Sequence, residues 1–349
     1  MLRVPSLEHV IALTDDVGIM QHAALDVPNR HEGYCTDDVS RALIVATVAA
    51  GFDDRREAAL RLGRVYLAFL YHAQATDGHF RNFMSYGRAW LDERGTPDSN
   101  GRAVWAVGHG MRYGPTATWR KSCAAMFERA LPLADGLGFV RSRAYAALGL
   151  AHAFEACDRR NPSIESGLRS IGAERAARHA SHADASWDWF ENELTYDNAR
   201  LPEALLRIGT VLEDSDLIAL GLRTFAFYES IVVEDGTFVP IGNDGWYVRG
   251  GRRARYAQQP LEAAAFVDAA LAAEAATGSA RYRGLAEIGL AWYHGRNTRG
   301  APMVAGGGCC DGLEADAING NMGAESTLAY VTSALALALP ARPVAGVSR

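Results

Sequence analysis

The sequence predicts an all-α fold, an (α/α)6 barrel of about six helical hairpins. Three observations support this prediction. Very apolar segments alternate along the chain with segments that keep one charged face, the pattern of buried inner helices followed by half-exposed outer helices. Links within a pair are short, whereas links between pairs are long. The spacing between pairs varies, which argues against the fixed period of an open helical superhelix.

Each predicted element follows from these patterns. The inner helices are expected over residues 38–50, 98–110, 141–156, 196–208, 258–277 and 324–339. The outer helices are expected over residues 55–74, 115–133, 164–189, 215–230 and 280–294, and a first helix over 7–23 pairs with the last inner one. Thr36, Asp37 or Asp38 is expected to cap the first inner helix. Short irregular or hairpin insertions are expected at one mouth of the barrel, within a single domain over residues 1–340 that is followed by a tail, 341–349.

Composition narrows the classes of partner. The chain has 349 residues, of which 35 are basic and 41 acidic, so its formal net charge is -6. It has no basic run, and this excludes a positively charged surface for nucleic acid. No run approaches the roughly 18 apolar residues of a membrane span, and the N-terminus lacks an apolar leader, so we expect a cytoplasmic protein. An odd number of cysteines favours reduced thiols.

No metal or cofactor is expected. His179 and His182 lack a third ligand at a suitable spacing. The glycines at 306–308 do not fit a phosphate-binding loop.

Polar motifs cluster where the inner helices begin. Because inner helices of a barrel run parallel, these positions meet at one mouth. The candidate catalytic residues are the carboxylates Asp37, Asp38, Asp197 and Glu325, each of which could instead complement a helix dipole. The candidate substrate-binding residues are Arg41, Asn82, Asn100, Arg102, Tyr196, Asn198, Asp244, Trp246, Gln258 and Glu314. Aromatic faces beside dense amides, carboxylates and arginines suit a sugar ring.

Four motifs carry a family resemblance. They are TDDVSRAL at Thr36–Leu43, GRAVWA at Gly101–Ala106, YDNARLPEAL at Tyr196–Leu205 and GAESTLAY at Gly323–Tyr330. Together they resemble the six-hairpin glycosidase superfamily, and more narrowly a bacterial group that is often joined or adjacent to glycosyltransferases. The sequence departs from that group at Val39-Ser40, where the group has Asn-Ala. The resemblance implies glycoside chemistry on an oligosaccharide of mannoside or glucoside type and a functional link to a glycosyltransferase.

A glycosidase needs two carboxyl groups with different roles. One stays protonated so that it can protonate the leaving oxygen, and the other is ionised. Members of this superfamily usually invert the configuration at the anomeric carbon, which requires the two carboxyl groups about 6.5–9.5 Å apart. Adjacent Asp37 and Asp38 are not expected to form that pair, so one of them should partner Asp197, Glu325, Asp244 or Glu314. Three alternatives stay open: a sugar epimerase or isomerase that uses histidine, a non-catalytic glycan-binding module, and a phosphorylase.

Overall fold

A computed structural model describes residues 4–339. Over this range the chain forms thirteen helices and six short two-stranded antiparallel ribbons. The helices are α1 (Glu8–Leu13), α2 (Thr36–Ala49), α3 (Arg56–Ala73), α4 (Pro97–Tyr113), α5 (Ala117–Ala130), α6 (Leu133–Gly136), α7 (Val140–Ala156), α8 (Pro162–His182), α9 (Arg200–Leu212), α10 (Ser215–Val232), α11 (Pro260–Thr277), α12 (Ala280–Tyr293) and α13 (Ala324–Ala338).

The strands are two residues each. They are β1 (Ala23–Ala24), β2 (Val27–Pro28), β3 (Tyr34–Cys35), β4 (Phe83–Met84), β5 (Glu193–Leu194), β6 (Val233–Glu234), β7 (Thr237–Phe238), β8 (Tyr247–Val248), β9 (Val304–Ala305), β10 (Gly308–Cys309), β11 (Gly312–Leu313) and β12 (Ile318–Asn319). The pairs are β1–β2, β3–β4, β5–β8, β6–β7, β9–β10 and β11–β12.

Six helices form a closed inner ring. In chain order, α2, α4, α7, α9, α11 and α13 each pack against the next, and α13 packs against α2. Each inner helix also packs against the neighbouring outer helix of its hairpin: α3, α5, α8, α10, α12 and α1 respectively. The prediction of an all-α (α/α)6 barrel is therefore confirmed.

Close packing inside the ring explains part of the sequence. On α11, residues from several faces are buried, including Ala263, Phe266 and Val267, as expected of an inner helix. Helices α4 and α7 approach backbone to backbone at Gly108 and Gly149, where a Cβ on Gly108 would clash with the carbonyl group of Gly149. Glycine at these positions permits the short distance between the two helices.

Several predicted helix bounds are wrong. Helix α8 ends at His182 and not at residue 189, and α9 spans Arg200–Leu212 and not residues 196–208. The first helix was expected over residues 7–23 but ends at Leu13, because Asp15 Oδ1 accepts the backbone N–H of Val17 at 2.8 Å and closes a turn there. Helix α2 begins at Thr36, two residues earlier than expected, so its N-cap is Cys35, whose sulfur accepts the Asp38 N–H at 3.4 Å. The predicted tail, 341–349, lies outside the described residues.

Every strand lies in a link that leads from an outer helix to the next inner helix. These links therefore cover the end of the barrel where the inner helices begin, which is where the sequence predicts the mouth. Among the helices of residues 4–339, none combines the length and the apolar character needed to cross a membrane.

Candidate active site

A cavity of about 340 Å³, which we call the mouth cavity, opens where the inner helices begin. Three carboxylates and two guanidinium groups line it, together with aromatic, amide and aliphatic side chains. The lining residues are Asp37, Arg41, Asp98, Arg102, Tyr196, Asn243, Trp246, Gln259, Leu261 and Glu325. The cavity is thus mainly polar, with an aromatic wall.

Arg41 connects two carboxylates across the mouth cavity. It lies one helical turn after Asp37 on α2, and its Nη1 donates to Asp37 Oδ2 at 3.0 Å. Its Nη2 donates to Glu325 Oε2 at 2.6 Å, from the first inner helix to the last. One guanidinium group therefore lies between Asp37 and Glu325.

Asp38 points away from the mouth cavity. Its side chain is buried, accepts a hydrogen bond from Arg41 Nη1 at 2.9 Å and accepts the Cys35 thiol at 3.1 Å. Burial raises the pKa of Asp38 to about 7, although Arg41 acts in the opposite direction. Of the two adjacent aspartates, Asp37 is the one that lines the cavity.

Glu325 lies in the first turn of α13. Its side chain is 36% exposed and faces the mouth cavity. Desolvation by the surrounding walls raises the pKa of Glu325 above its ordinary value, while Arg41 and then Arg102 lower it by a smaller amount. A carboxyl group with a raised pKa and access to the cavity is suited to hold and deliver a proton.

Arg102 joins the mouth cavity to a buried carboxylate. Its Nε lies 2.8 Å from Asp37 Oδ1, and its Nη2 donates to Asp197 Oδ2 at 2.8 Å. Its guanidinium group also stacks on the ring of Tyr145, with Cζ 3.9 Å from the ring centroid. Asp37 is thus paired with two guanidinium groups, those of Arg41 and Arg102.

Asp197 is an internal anchor rather than a wall of the mouth cavity. It is 1% exposed, has a positive φ of 50°, and accepts the Tyr145 hydroxyl at 2.5 Å. Burial favours the neutral acid, but Arg102 and Arg200 outweigh burial and hold the pKa of Asp197 below its ordinary value. Asp197 lines a narrow space of about 30 Å³ beneath the mouth cavity, with Arg41, Arg102 and Arg200.

Two acidic residues near the site were missed by the sequence analysis as candidates. Asp98, in the first turn of α4, lines the mouth cavity and accepts the Tyr196 hydroxyl at 2.6 Å. Glu262, in the first turn of α11, accepts the Tyr228 hydroxyl at 3.0 Å and the backbone N–H of Asp197. Burial, and then the charge of Asp197, raises the pKa of Glu262 to about 7. Both residues lie at the start of an inner helix. Asp37 and Glu325 were chosen as candidates because of that position, so the same criterion could have identified Asp98 and Glu262.

Four predicted substrate-binding amides have protein partners. Asn82 Oδ1 accepts the Asp37 N–H at 3.3 Å, and Asn198 Oδ1 accepts the Arg141 guanidinium at 3.2 Å. The Asn100 amide pairs with the backbone of Phe80, while Gln258 accepts the indole N–H of Trp292 at 2.9 Å and donates to the carbonyl of Arg255. None of these four lines the mouth cavity; they hold its walls in place.

The remaining predicted residues divide between two places. Tyr196 and Trp246 line the mouth cavity, with ring centroids 6.4 Å apart. Asp244 and Glu314 line a separate groove of about 640 Å³, described below.

Histidines are not among the lining residues of the mouth cavity in the described part of the chain. His109 and His152 line a cavity of about 180 Å³ formed by other parts of the inner helices. Residues 4–339 also contain no group of three His, Cys, Asp or Glu side chains arranged to hold a metal ion.

Solved structures share this fold. A sugar epimerase from a ruminal bacterium superposes with a TM-score of 0.74 at 12% identity, covering 97% of both chains. Cellobiose 2-epimerase from Bacillus thermoamylovorans gives a TM-score of 0.71 at 12% identity and 95% coverage of each chain. A family 76 α-mannanase from Bacteroides thetaiotaomicron gives 0.64 at 9% identity, covering 95% of this chain and 93% of the other.

These comparisons support the (α/α)6 barrel. No family model matches the sequence, and no curated protein matches it. At such identities the likeness concerns the fold, so the chemistry has to be argued from the site.

Proposed function

We propose that this protein is a carbohydrate-acting enzyme, a glycoside hydrolase in which Glu325 is the general acid and Asp37 the general base. The observation that carries the proposal is the placement of these two carboxyl groups on either side of Arg41 in one cavity. Their environments differ. Glu325 has a raised pKa and suits the protonated state, while the charge of Asp37 is paired with two guanidinium groups.

The reaction follows from these roles. Glu325 gives its proton to the glycosidic oxygen as the bond between that oxygen and the anomeric carbon breaks. Asp37 takes a proton from a water molecule, whose oxygen forms the new bond to the anomeric carbon. Tyr196 and Trp246 provide aromatic faces for the sugar ring, and Asp98 and Arg102 provide partners for its hydroxyl groups.

An inverting outcome is part of the proposal. Inversion requires the two carboxyl groups about 6.5–9.5 Å apart, so that water fits between one of them and the sugar. The resemblance to the six-hairpin glycosidase superfamily supports inversion, because members of that superfamily usually invert. The α-mannanase of the same fold supports a mannoside as substrate. The motif resemblance adds a functional link to a glycosyltransferase.

The second candidate is a sugar epimerase, because two of the solved structures with this fold are epimerases. An epimerase transfers a proton at carbon and needs a base for that step. The lining of the mouth cavity offers carboxylates for this purpose and no histidine among the described residues. Incubation of monosaccharides in heavy water separates the two candidates, since an epimerase incorporates deuterium at the epimerised carbon and an inverting hydrolase does not.

Single amide substitutions test the hydrolase. In Asp37→Asn and Glu325→Gln, we expect turnover of an oligosaccharide panel to fall about 10²–10⁴-fold. Glu57→Gln, an exposed acid on the outer helix α3, is the matched control and should keep full turnover. Circular dichroism shows whether each variant is folded. Undiminished turnover in both site variants would refute these roles.

The other outcomes identify the remaining alternatives. Proton NMR of the first product gives its anomer, and inversion is expected. Turnover that depends on phosphate would indicate a phosphorylase. Saturable binding of oligosaccharides without any product would indicate a glycan-binding module.

A further inference from the structure

A second open space lies beside the mouth cavity. This side groove, of about 640 Å³, is bounded on one side by the loop 244–257 and on the other by the turn 314–317 between β11 and β12. The short segment 243–246 belongs to both spaces. Asn243 and Trp246 line the mouth cavity, whereas Asp244 and Gly245 line the side groove. The segment 243–246 therefore forms a wall that the mouth cavity and the side groove share.

The backbone of this shared segment is held in an uncommon conformation. Trp246 has a φ of 52°, which large side chains rarely adopt, and it follows Gly245 at 106°. The Trp246 carbonyl accepts the N–H of Ala254 at 2.9 Å, which ties the segment to the opposite end of the loop. Such conformations persist where the surroundings fix them, and they concentrate at ligand sites.

The side groove has the chemistry of a sugar-binding surface. Tyr256 is 39% exposed and offers a ring for stacking. Asp244, Glu314 and Asp316 supply acceptors, and Arg252 supplies a donor. Arg255 also lines the groove, but its guanidinium group is bound by both oxygens of Glu234 at 2.8 Å. Charges of both signs face the groove, so a neutral polyhydroxyl chain fits it better than an ion.

The space directly beneath the mouth cavity is narrow. Beneath that cavity, the space between Arg41, Arg102, Asp197 and Arg200 narrows to about 30 Å³. A space of this size is too small for a sugar ring. A sugar chain bound in the mouth cavity must therefore extend outward, and along the side groove it stays in contact with protein.

We infer that the side groove binds the sugar rings that follow the ring held in the mouth cavity. The preferred ligand is then an oligosaccharide of at least three residues. This inference rests on the proposed action on glycosides, and it adds a length requirement and the residues that impose it. Tyr256 and Glu314 are assigned to the rings farthest from the reaction.

Titration calorimetry on the Glu325→Gln variant tests the inference. The probes are α-linked manno-oligosaccharides and gluco-oligosaccharides of one to six residues. We expect affinity for one of the two series to rise at least tenfold between the disaccharide and the tetrasaccharide. Adding Tyr256→Ala or Glu314→Gln should reduce that gain to less than threefold while leaving disaccharide affinity unchanged. Tyr71→Ala, an exposed tyrosine on the outer helix α3, is the control and should keep the full gain.

The outcomes separate this inference from the proposed hydrolysis. Three results overturn the side groove as a binding surface. They are an affinity that does not depend on chain length, a gain in affinity that survives both groove substitutions, and no binding of either series. Hydrolysis by the wild type with kcat/KM independent of chain length also overturns it while leaving the hydrolase in place. If affinity rises with chain length through the groove residues but no chain is cleaved, the side groove is supported as a binding surface and the proposed hydrolase is refuted.

Discussion

Arg41 donates a hydrogen bond of 2.6 Å to Glu325, a residue 284 positions further along the chain. The bond joins the first inner helix to the last, at the seam where the ring of helices closes. The same guanidinium group also binds Asp37 and Asp38. One side chain thus crosses the seam of the barrel and contacts the candidate acid.

Removing Arg41 should raise the pKa of Glu325. Burial already raises this pKa, and Arg41 lowers it, so Arg41→Met removes the stronger of the opposing charges. A general acid works while protonated, and activity is lost as pH rises through its pKa. The alkaline limb of kcat/KM should therefore move to higher pH.

Two further variants make the Arg41 prediction specific. Arg41→Lys keeps a positive charge and should shift the alkaline limb less than Arg41→Met. Arg64→Met, on the exposed face of α3, should not shift it. Carbon-13 NMR of labelled glutamate, with Glu325→Gln for assignment, follows the same titration without any substrate. An unchanged Glu325 titration in Arg41→Met would contradict the prediction.

Asp197 should matter for stability through its charge. It is buried between Arg102 and Arg200, and breaking one partner of a buried ion pair typically costs about 3–5 kcal/mol. Asp197→Asn keeps the shape and tolerates the positive φ, so it isolates the loss of charge. We expect the free energy of unfolding in urea at pH 7 to fall by about that amount. Asp216→Asn, an exposed control on α10, should change it by less than about 0.5 kcal/mol.

The effect of Asp197→Asn should also depend on pH. The pKa of Asp197 is lowered in the folded protein, so its ionised form contributes stability above the unfolded pKa. That contribution is lost as pH falls through the folded pKa. The difference between wild type and Asp197→Asn should therefore shrink in acid, and a constant difference would contradict the assignment.

The fold could be predicted from sequence because its signal is repeated. Apolar inner helices and amphipathic outer helices differ in composition over a dozen or more residues, and the alternation fixes the ring. The place of the site followed from the parallel direction of the inner helices. The first helix was predicted too long because the turn at Asp15 depends on a single side chain that accepts two backbone N–H groups.

The roles of single residues could not be predicted in the same way. Asp37 and Asp38 are adjacent, and only the packing of α2 against its neighbours decides that Asp37 faces the cavity while Asp38 is buried. Asn100 and Gln258 look like ligand-binding amides in sequence. Their partners, Phe80 and Trp292, lie 20 and 34 positions away and are known only from the fold. Asp98 stands at the start of a predicted inner helix, but its hydrogen bond to Tyr196 spans 98 positions.

Glu262 should make stability fall as pH rises. Its pKa is about 7 in the folded protein against an ordinary value of 4.5, so folding favours its protonated form. The stability that it contributes is complete below the unfolded pKa and is lost as pH rises through the folded pKa. A difference of this size corresponds to about 3 kcal/mol.

The Glu262→Gln variant removes this titration and keeps a neutral side chain of similar shape. Between pH 4.5 and 8, the free energy of unfolding in urea should decline less in Glu262→Gln than in the wild type, by about 3 kcal/mol over the range. Asp38 also has a raised pKa, but it is present in both proteins and cancels in the comparison. Parallel profiles would show that folding does not raise the pKa of Glu262.

The contact between α4 and α7 makes a prediction about the barrel itself. A Cβ on Gly108 would clash with the backbone of Gly149, so Gly108→Ala forces two inner helices apart. We expect the free energy of unfolding to fall by about 1–3 kcal/mol, as for other overpacked interiors. Gly284→Ala is the matched control, because Gly284 is also helical but a Cβ there meets open space. Alanine is favoured over glycine in a helix by about 1 kcal/mol, so this control should be more stable than the wild type. If the free energy of unfolding in urea falls for Gly108→Ala and rises for Gly284→Ala, the effect lies in the contact between the helices. Equal rises for both substitutions would show that α4 and α7 can move apart without loss of stability.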